Sequence, residues 1–160
     1  MIALYPGSFD PVTYGHLDTA VRAARIFDQV VVAVFDRPNK KLLFSTEERV
    51  ALMREAVQAY PTITVRAYSI LTVEYAQTIG AHVIVRGLRD VIDFGHEKQI
   101  AHVNQALDPE IEQVILMASP QYSFVSSSIV REVATLGGDV SNMVPAHVVR
   151  ALRRKFGHAE

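Results

Sequence analysis

Tyr5-Pro6-Gly7-Ser8-Phe9-Asp10-Pro11-Val12-Thr13-Tyr14-Gly15-His16 follows directly on the apolar residues Ile2-Ala3-Leu4, and its reading decides the fold. The apolar run predicts a strand over 2–5, and the proline and glycine that follow end it in a turn. Thr13 is suited to cap a helix, which puts His16 in that helix's first turn. Free backbone N–H groups and the positive end of a helix dipole then face the turn and favour phosphate. An imidazole there can donate a hydrogen bond to an oxygen gaining negative charge. Gly7 is expected to let the backbone turn sharply and approach a ligand closely. Taken alone, His16 reads first as a surface histidine after a capping threonine. The complete string Gly-x-Phe-Asp-Pro-x-x-x-Gly-His is far more restrictive than a lone glycine-rich turn.

Outward from this stretch the pattern repeats. Strands are predicted at 2–5, 29–35, 62–67, 82–86 and 113–118, and helices at 15–27, 46–59, 73–79, 91–107, 127–136 and 146–156. Val30-Val31-Val32-Ala33-Val34 and Val83-Ile84-Val85 are continuously apolar. That pattern suits strands covered on both faces, as in a parallel sheet. Ser45 and Glu48 have capping-box spacing, Pro145 suits a first helical turn, and Gly137-Gly138-Asp139 reads as a helix stop. There is no internal repeat, low-complexity tract or linker. Residues 1–160 therefore read as a single α/β domain: a Rossmann-like, doubly wound sheet of five parallel strands flanked by helices. In such sheets ligands bind beyond the carboxyl ends of the strands, where strand order reverses.

Polar segments do follow the strands. After the second comes Asp36-Arg37-Pro38-Asn39-Lys40-Lys41. Lys40 or Lys41 could hold a phosphate as a point charge, and a solvated loop accounts for them equally well. The fourth ends in Val85-Arg86-Gly87-Leu88-Arg89-Asp90. Its two guanidinium groups suit phosphate oxygens, and salt bridges to Asp90, Asp93 or Glu97 are compatible with that use. After the fifth, Ser126, Ser127 and Ser128 open a helix and offer hydroxyls and amides together, although simple capping needs only one of them. Tyr122 and Phe124 suit a base stack or the core, and the sequence does not choose between them.

Composition narrows the classes. The chain has 160 residues, 16 Lys plus Arg against 17 Asp plus Glu, a net charge of −1 and 49% hydrophobic residues. That is enough apolar content for a core, without the basic excess of a non-specific nucleic-acid binder. The absence of cysteine excludes disulfides and thiolate sites. No apolar run approaches a membrane span, and the N-terminus is short and uncharged for a signal peptide, so a cytoplasmic location is expected. No two of the six histidines have metalloprotease spacing, so no protein metal site is expected. Neither the dinucleotide G-x-G-x-x-G, the P-loop nor a G-x-S-x-G elbow occurs. Catalysis by positioning and charge neutralisation fits better than covalent catalysis.

Thr13-Tyr14-Gly15-His16 resembles the (H/T)-x-G-H signature of the nucleotidyltransferase superfamily. With Asn39-Lys40-Lys41, Phe44-Ser45-Thr46-Glu47-Glu48-Arg49, Arg86-Gly87-Leu88-Arg89 and Phe124-Val125-Ser126-Ser127-Ser128, the whole chain is similar to the bacterial phosphopantetheine adenylyltransferase family. The last four pieces are the more specific. The resemblance implies reaction of ATP with 4′-phosphopantetheine to give dephospho-coenzyme A and pyrophosphate. A related nucleotidyltransferase using another phosphorylated acceptor is the alternative.

On the same resemblance, His16, Lys40 and Arg89 would be catalytic. Ser8, Phe9, His16, Gly87, Leu88, Arg89 and Glu97 would bind ATP, together with Tyr122, Ser123, Phe124, Val125, Ser126, Ser127 and Ser128. Ser8, Lys40, Thr72 and Arg86 would bind phosphopantetheine. Mg²⁺ would arrive on the nucleotide, coenzyme A would inhibit, and a homohexamer is expected, with no nucleic-acid or membrane partner. The chain departs from the family at Thr72, where Leu or Met is usual. It departs again at Gly95, where a Glu is common, so that Glu's role cannot be transferred.

Overall fold

The computed structural model describes residues 1–39 and 41–158. Five strands, β1 (Ile2–Gly7), β2 (Gln29–Phe35), β3 (Ile63–Tyr68), β4 (Val83–Leu88) and β5 (Glu112–Met117), form one sheet in the order β3-β2-β1-β4-β5. Every neighbouring pair is parallel. Six helices connect or follow them: α1 (Tyr14–Ala23), α2 (Thr46–Val57), α3 (Thr72–Thr78), α4 (Val91–Leu107), α5 (Ser127–Thr135) and α6 (Ala146–Phe156). None of the described helices is long and apolar enough to cross a membrane.

The continuously apolar strands are indeed covered on both faces. Ala3, Tyr5, Val30, Val32, Val83 and Val85 point into a core shared with Ala20, Met53, Val130, Val148 and Leu152, contributed by α1, α2, α5 and α6. The alternate residues Leu4, Val31, Ala33 and Ile84 point the other way, against Val73 and Ala76 of α3. This two-sided burial is what the period-two geometry of a strand requires of a parallel sheet.

Several boundaries move: β4 runs on to Leu88, where its ladder with β5 ends, α2 stops at Val57, and two further shifts have reasons in the packing and pairing. β1 runs on to Gly7 because its ladder with β2 continues to the pair Gly7 and Val34. Helix α1 stops at Ala23 rather than Phe27: the amides of Arg25 and Ile26 turn back to Arg22 and Ala23, and Phe27 drops into the core. The order of strands reverses between β1 and β4, which opens a crevice at their carboxyl ends.

Candidate active site

The crevice is a cleft of about 390 Å³. The turn after β1 supplies Ser8 and Phe9, and α1 supplies His16. β4 supplies Arg86 and Gly87, the residue just past it is Arg89, α4 supplies Glu97, and the loop into α5 and its first turn supply Tyr122, Val125, Ser126, Ser127 and Ser128. Three of the segments singled out in the sequence, those after β1, β4 and β5, thus meet at one rim of the sheet, and no described residue of the 36–41 segment lines it.

Thr13 caps α1 with a reciprocal box. Its hydroxyl accepts from the His16 amide at 3.3 Å, and its own N–H donates to His16 Nδ1 at 3.1 Å. A ring nitrogen that accepts cannot carry the proton, so the cap places the imidazole N–H on Nε2. The Phe9 ring meets His16 edge-on at 5.0 Å. The amides of this helix start are less available to an anion than expected. Tyr14 N–H donates to Met143 O at 2.9 Å and the His16 amide is taken by Thr13, which leaves Gly15.

Gly7 is required for a reason other than the expected one. A Cβ there would lie 2.8 Å from Phe9 Cζ, because the Phe9 ring folds back over it. The sharp turn falls on Phe9 itself, at φ 51°. A bulky residue in that region costs about 1–3 kcal/mol, which its buried ring packing against Tyr5 and His16 offsets. Gly87 has a similar reason: a Cβ would sit 3.0 Å from Thr19 Oγ1, so glycine lets α1 lie close to β4. Tyr5 is buried beneath the cleft, and burial pushes its phenol up to about 12.

The arginines divide their acidic neighbours cleanly. Arg86 forks onto Glu97 at 2.8 and 2.7 Å and donates to Pro6 O at 2.8 Å. Burial works against its charge, but the hydrogen bonds and charge of Glu97 more than compensate and hold its pKa above the ordinary value. Arg89 meets Asp93 at 3.1 Å in a half-exposed pair, and Asp90 caps α4.

The three serines also divide. Ser126 Oγ caps α5 by accepting from Ile129 N–H at 3.2 Å, and Ser127 Oγ donates to Pro11 O at 2.8 Å. With those hydroxyls engaged, what this helix start offers an anion is mainly the amides of its first turn.

Other expected residues stand apart from the cleft lining. Leu88 is buried, Phe124 is 56% exposed and Ser123 Oγ donates to Pro120 O. Tyr122 lines the cleft with its ring stacked on Tyr14. Thr72 opens α3 at the end of β3, its hydroxyl 3.0 Å from that of Tyr68. Lys40 lies outside the described residues. Asp93 and His96 also line the cleft, and sequence reading did not single them out as site residues. Their only signal was proximity to Glu97 on the same helix.

These features define a Rossmann-like α/β domain with its cleft at the switch point of the sheet. A cytidylyltransferase-like family model matches residues 4–133, which takes in β1 from Leu4, all the later strands and most of α5. The chain is 63% identical over 156 residues to the phosphopantetheine adenylyltransferase of Roseiflexus sp. (strain RS-1), covering 98% of both chains. It is 54% identical to that of Lacticaseibacillus casei (strain BL23), over 99% of this chain and 95% of that one. It is 53% identical to that of Synechococcus sp. (strain JA-2-3B'a(2-13)), over 98% of both. The chain belongs to the phosphopantetheine adenylyltransferase family.

Proposed function

We propose that the enzyme transfers the adenylyl group of ATP to 4′-phosphopantetheine, giving dephospho-coenzyme A and pyrophosphate. The supporting observation is the meeting of His16, the Arg86–Arg89 turn and the α5 helix start in one cleft, in a chain of this family. A phosphate oxygen of the acceptor attacks the α-phosphorus in line. The new O–P bond forms as the bond from the α-phosphorus to the bridging oxygen breaks, and pyrophosphate leaves. The nucleophile is already an anion near neutral pH, so no general base is needed; the work is to bring two anions together and stabilise the transferring phosphorus.

In this reading the Nε2–H of His16 donates to the oxygens that gain charge, with Lys40 and Arg89 as the cations. Arg89 suits the part because its pair with Asp93 is 41% and 29% exposed and is easily exchanged for a phosphate. Arg86 and Lys40 take the acceptor phosphate, Thr72 lies along the pantetheine arm, and the α5 amides receive the ATP phosphates. Mg²⁺ enters as MgATP. The acidic side chains nearest the reaction are held by arginines: Asp10 by Arg131, Asp93 by Arg89 and Glu97 by Arg86.

The working form is a cytoplasmic homohexamer, inhibited by coenzyme A through its likeness to the product. Support for assembly comes from α4, whose Val91, Ile92, Phe94, Val103 and Leu107 are all exposed beside the edge strand β5. An apolar face of that kind suits a second copy. Sedimentation should give the mass of six chains. The test of function is pyrophosphate release from ATP, which should require 4′-phosphopantetheine. Turnover with nicotinate mononucleotide or glycerol 3-phosphate, and none with phosphopantetheine, would overturn the assignment.

A further inference from the structure

The Phe44-Ser45-Thr46-Glu47-Glu48-Arg49 stretch marks the family yet supplies nothing to the cleft lining. Its last residue is the largest fully buried side chain of the molecule, at 0% exposure. Arg49 Nη1 donates to Ser8 O at 2.7 Å and Phe35 O at 2.9 Å, Nε to Phe44 O at 3.3 Å, and Nη2 to Thr46 Oγ1 at 2.9 Å. No carboxylate is within ion-pair distance among the described residues. Burial pulls its pKa below the ordinary guanidinium value, against the more distant pull of Asp10 and Asp36.

A buried cation bonded to carbonyls is an expensive way to fill space. What it does that an aliphatic side chain cannot is join three separate segments through one rigid fork. The segments are the Ser8 turn in the cleft, the end of β2, and the start of α2. Thr46 relays the fork to Asp36 by donating to its carboxylate. From the other side Asp10 accepts the amides of Leu43 and Phe44 at 2.8 and 2.9 Å. Both feet of the basic 36–45 loop, at Asp36 and at Leu43–Phe44, are therefore pinned to the turn that carries Ser8.

We infer that Arg49 is a positioning residue for the acceptor phosphate: it fixes the two ends of the loop after β2, at Asp36 and Leu43–Phe44, in register with Ser8. This rests on the reading in which that loop's lysines meet phosphopantetheine. Arg49→Lys keeps the charge and loses the fork; Thr46→Val keeps Arg49 and its three carbonyl partners and removes the hydroxyl that joins Nη2 to Asp36. The measurements are KM for 4′-phosphopantetheine, kcat, and ATP affinity by titration without acceptor, in the wild-type and Lys40→Ala backgrounds.

Misplacement of a positioning group by a fraction of an ångström predicts that Arg49→Lys raises the acceptor KM about tenfold or more, with ATP affinity within about twofold. In the Lys40→Ala background the same change should raise KM by less than about threefold, because the acceptor contact that the proposed function assigns to Lys40 is already removed. Equal losses for both substrates, or full multiplication of the two effects, would overturn the inference. If Arg49→Lys does not fold, Thr46→Val decides on the same readouts: a selective rise in acceptor KM sustains it and an unchanged KM overturns it. A wild-type enzyme inactive with phosphopantetheine would instead sink the functional reading, before any variant is compared.

Discussion

Arg86 donates to Pro6 O near the end of β1 at 2.8 Å and Arg49 to Ser8 O just past it at 2.7 Å, but their remaining partners differ in kind. Arg86 is neutralised by a bidentate carboxylate and lines the cleft. Among the described residues Arg49 has only carbonyls and a hydroxyl as partners, and it lies outside the cleft lining. Burial acts on both, yet their pKa values move in opposite directions, upward for Arg86 and downward for Arg49, because only one has a counter-charge in contact. The difference separates a charge held at the cleft from a charge spent on geometry.

His16 belongs to neither kind, and it should show the largest effect. It touches the reacting oxygens in the proposed mechanism, while its ring accepts from Thr13 and meets Phe9 edge-on. His16→Ala should lower kcat about 10²–10³-fold with only a small change in thermal midpoint. A loss of stability comparable to that of an arginine variant would erase the distinction between acting and supporting groups.

Glu97→Gln tests the Arg86 side of the comparison. Glu97 is buried, and Gln keeps its shape while leaving the Arg86 cation without a counter-charge. The expected loss is about 3 kcal/mol, at the low end for a buried pair because the Arg86 side chain is 27% exposed. Calorimetry should show a midpoint lowered by about 10 °C. Arg49→Lys probes the other side. The cation stays, but three carbonyls compete for fewer, differently placed donors, and the expected loss is about 2 kcal/mol. If Arg49→Lys proved the more damaging of the two, counter-charge would not be what distinguishes the sites.

The smallest effect belongs to a pair that is neither buried nor near the cleft. Glu48 accepts from Ser45 N–H at 2.8 Å and from Lys155 at 2.9 Å, with both side chains of the ion pair more than a third exposed. Burial opposes ionisation of Glu48, but these donors outweigh it and lower its pKa. The stability it contributes is present above the ordinary glutamate pKa of about 4.3 and is lost as pH falls through the lowered folded value. Glu48→Gln should flatten that acid limb slightly, by less than about 1 kcal/mol, and leave the neutral-pH midpoint almost unchanged.

The comparison also shows what the sequence could disclose. The Val-rich runs mark β2 and β4 as central strands because continuous burial leaves a continuous apolar pattern. Thr13 and Ser45 announce their helices because capping chemistry is local, and both capping boxes form. The cleft was legible for a topological reason: residues just past the ends of parallel strands converge wherever strand order reverses. Three-dimensional partnership was not legible. Spacing offered Arg86 three candidate carboxylates, and only the packing of α4 on β4 selects Glu97. Nothing in the string around Arg49 shows that its partners are carbonyls as far away as Ser8. Gly7 looked like a backbone hinge, whereas the hinge is Phe9 and glycine makes room for its ring.

The central claim is that this cleft works by holding two anions in line, with no covalent enzyme intermediate. The configuration at the α-phosphorus tests it most directly. ATP made chiral at that phosphorus with sulfur and oxygen isotopes should give dephospho-coenzyme A with inverted configuration, the mark of a single displacement. Retention would require two displacements through an adenylylated side chain, and would contradict the account.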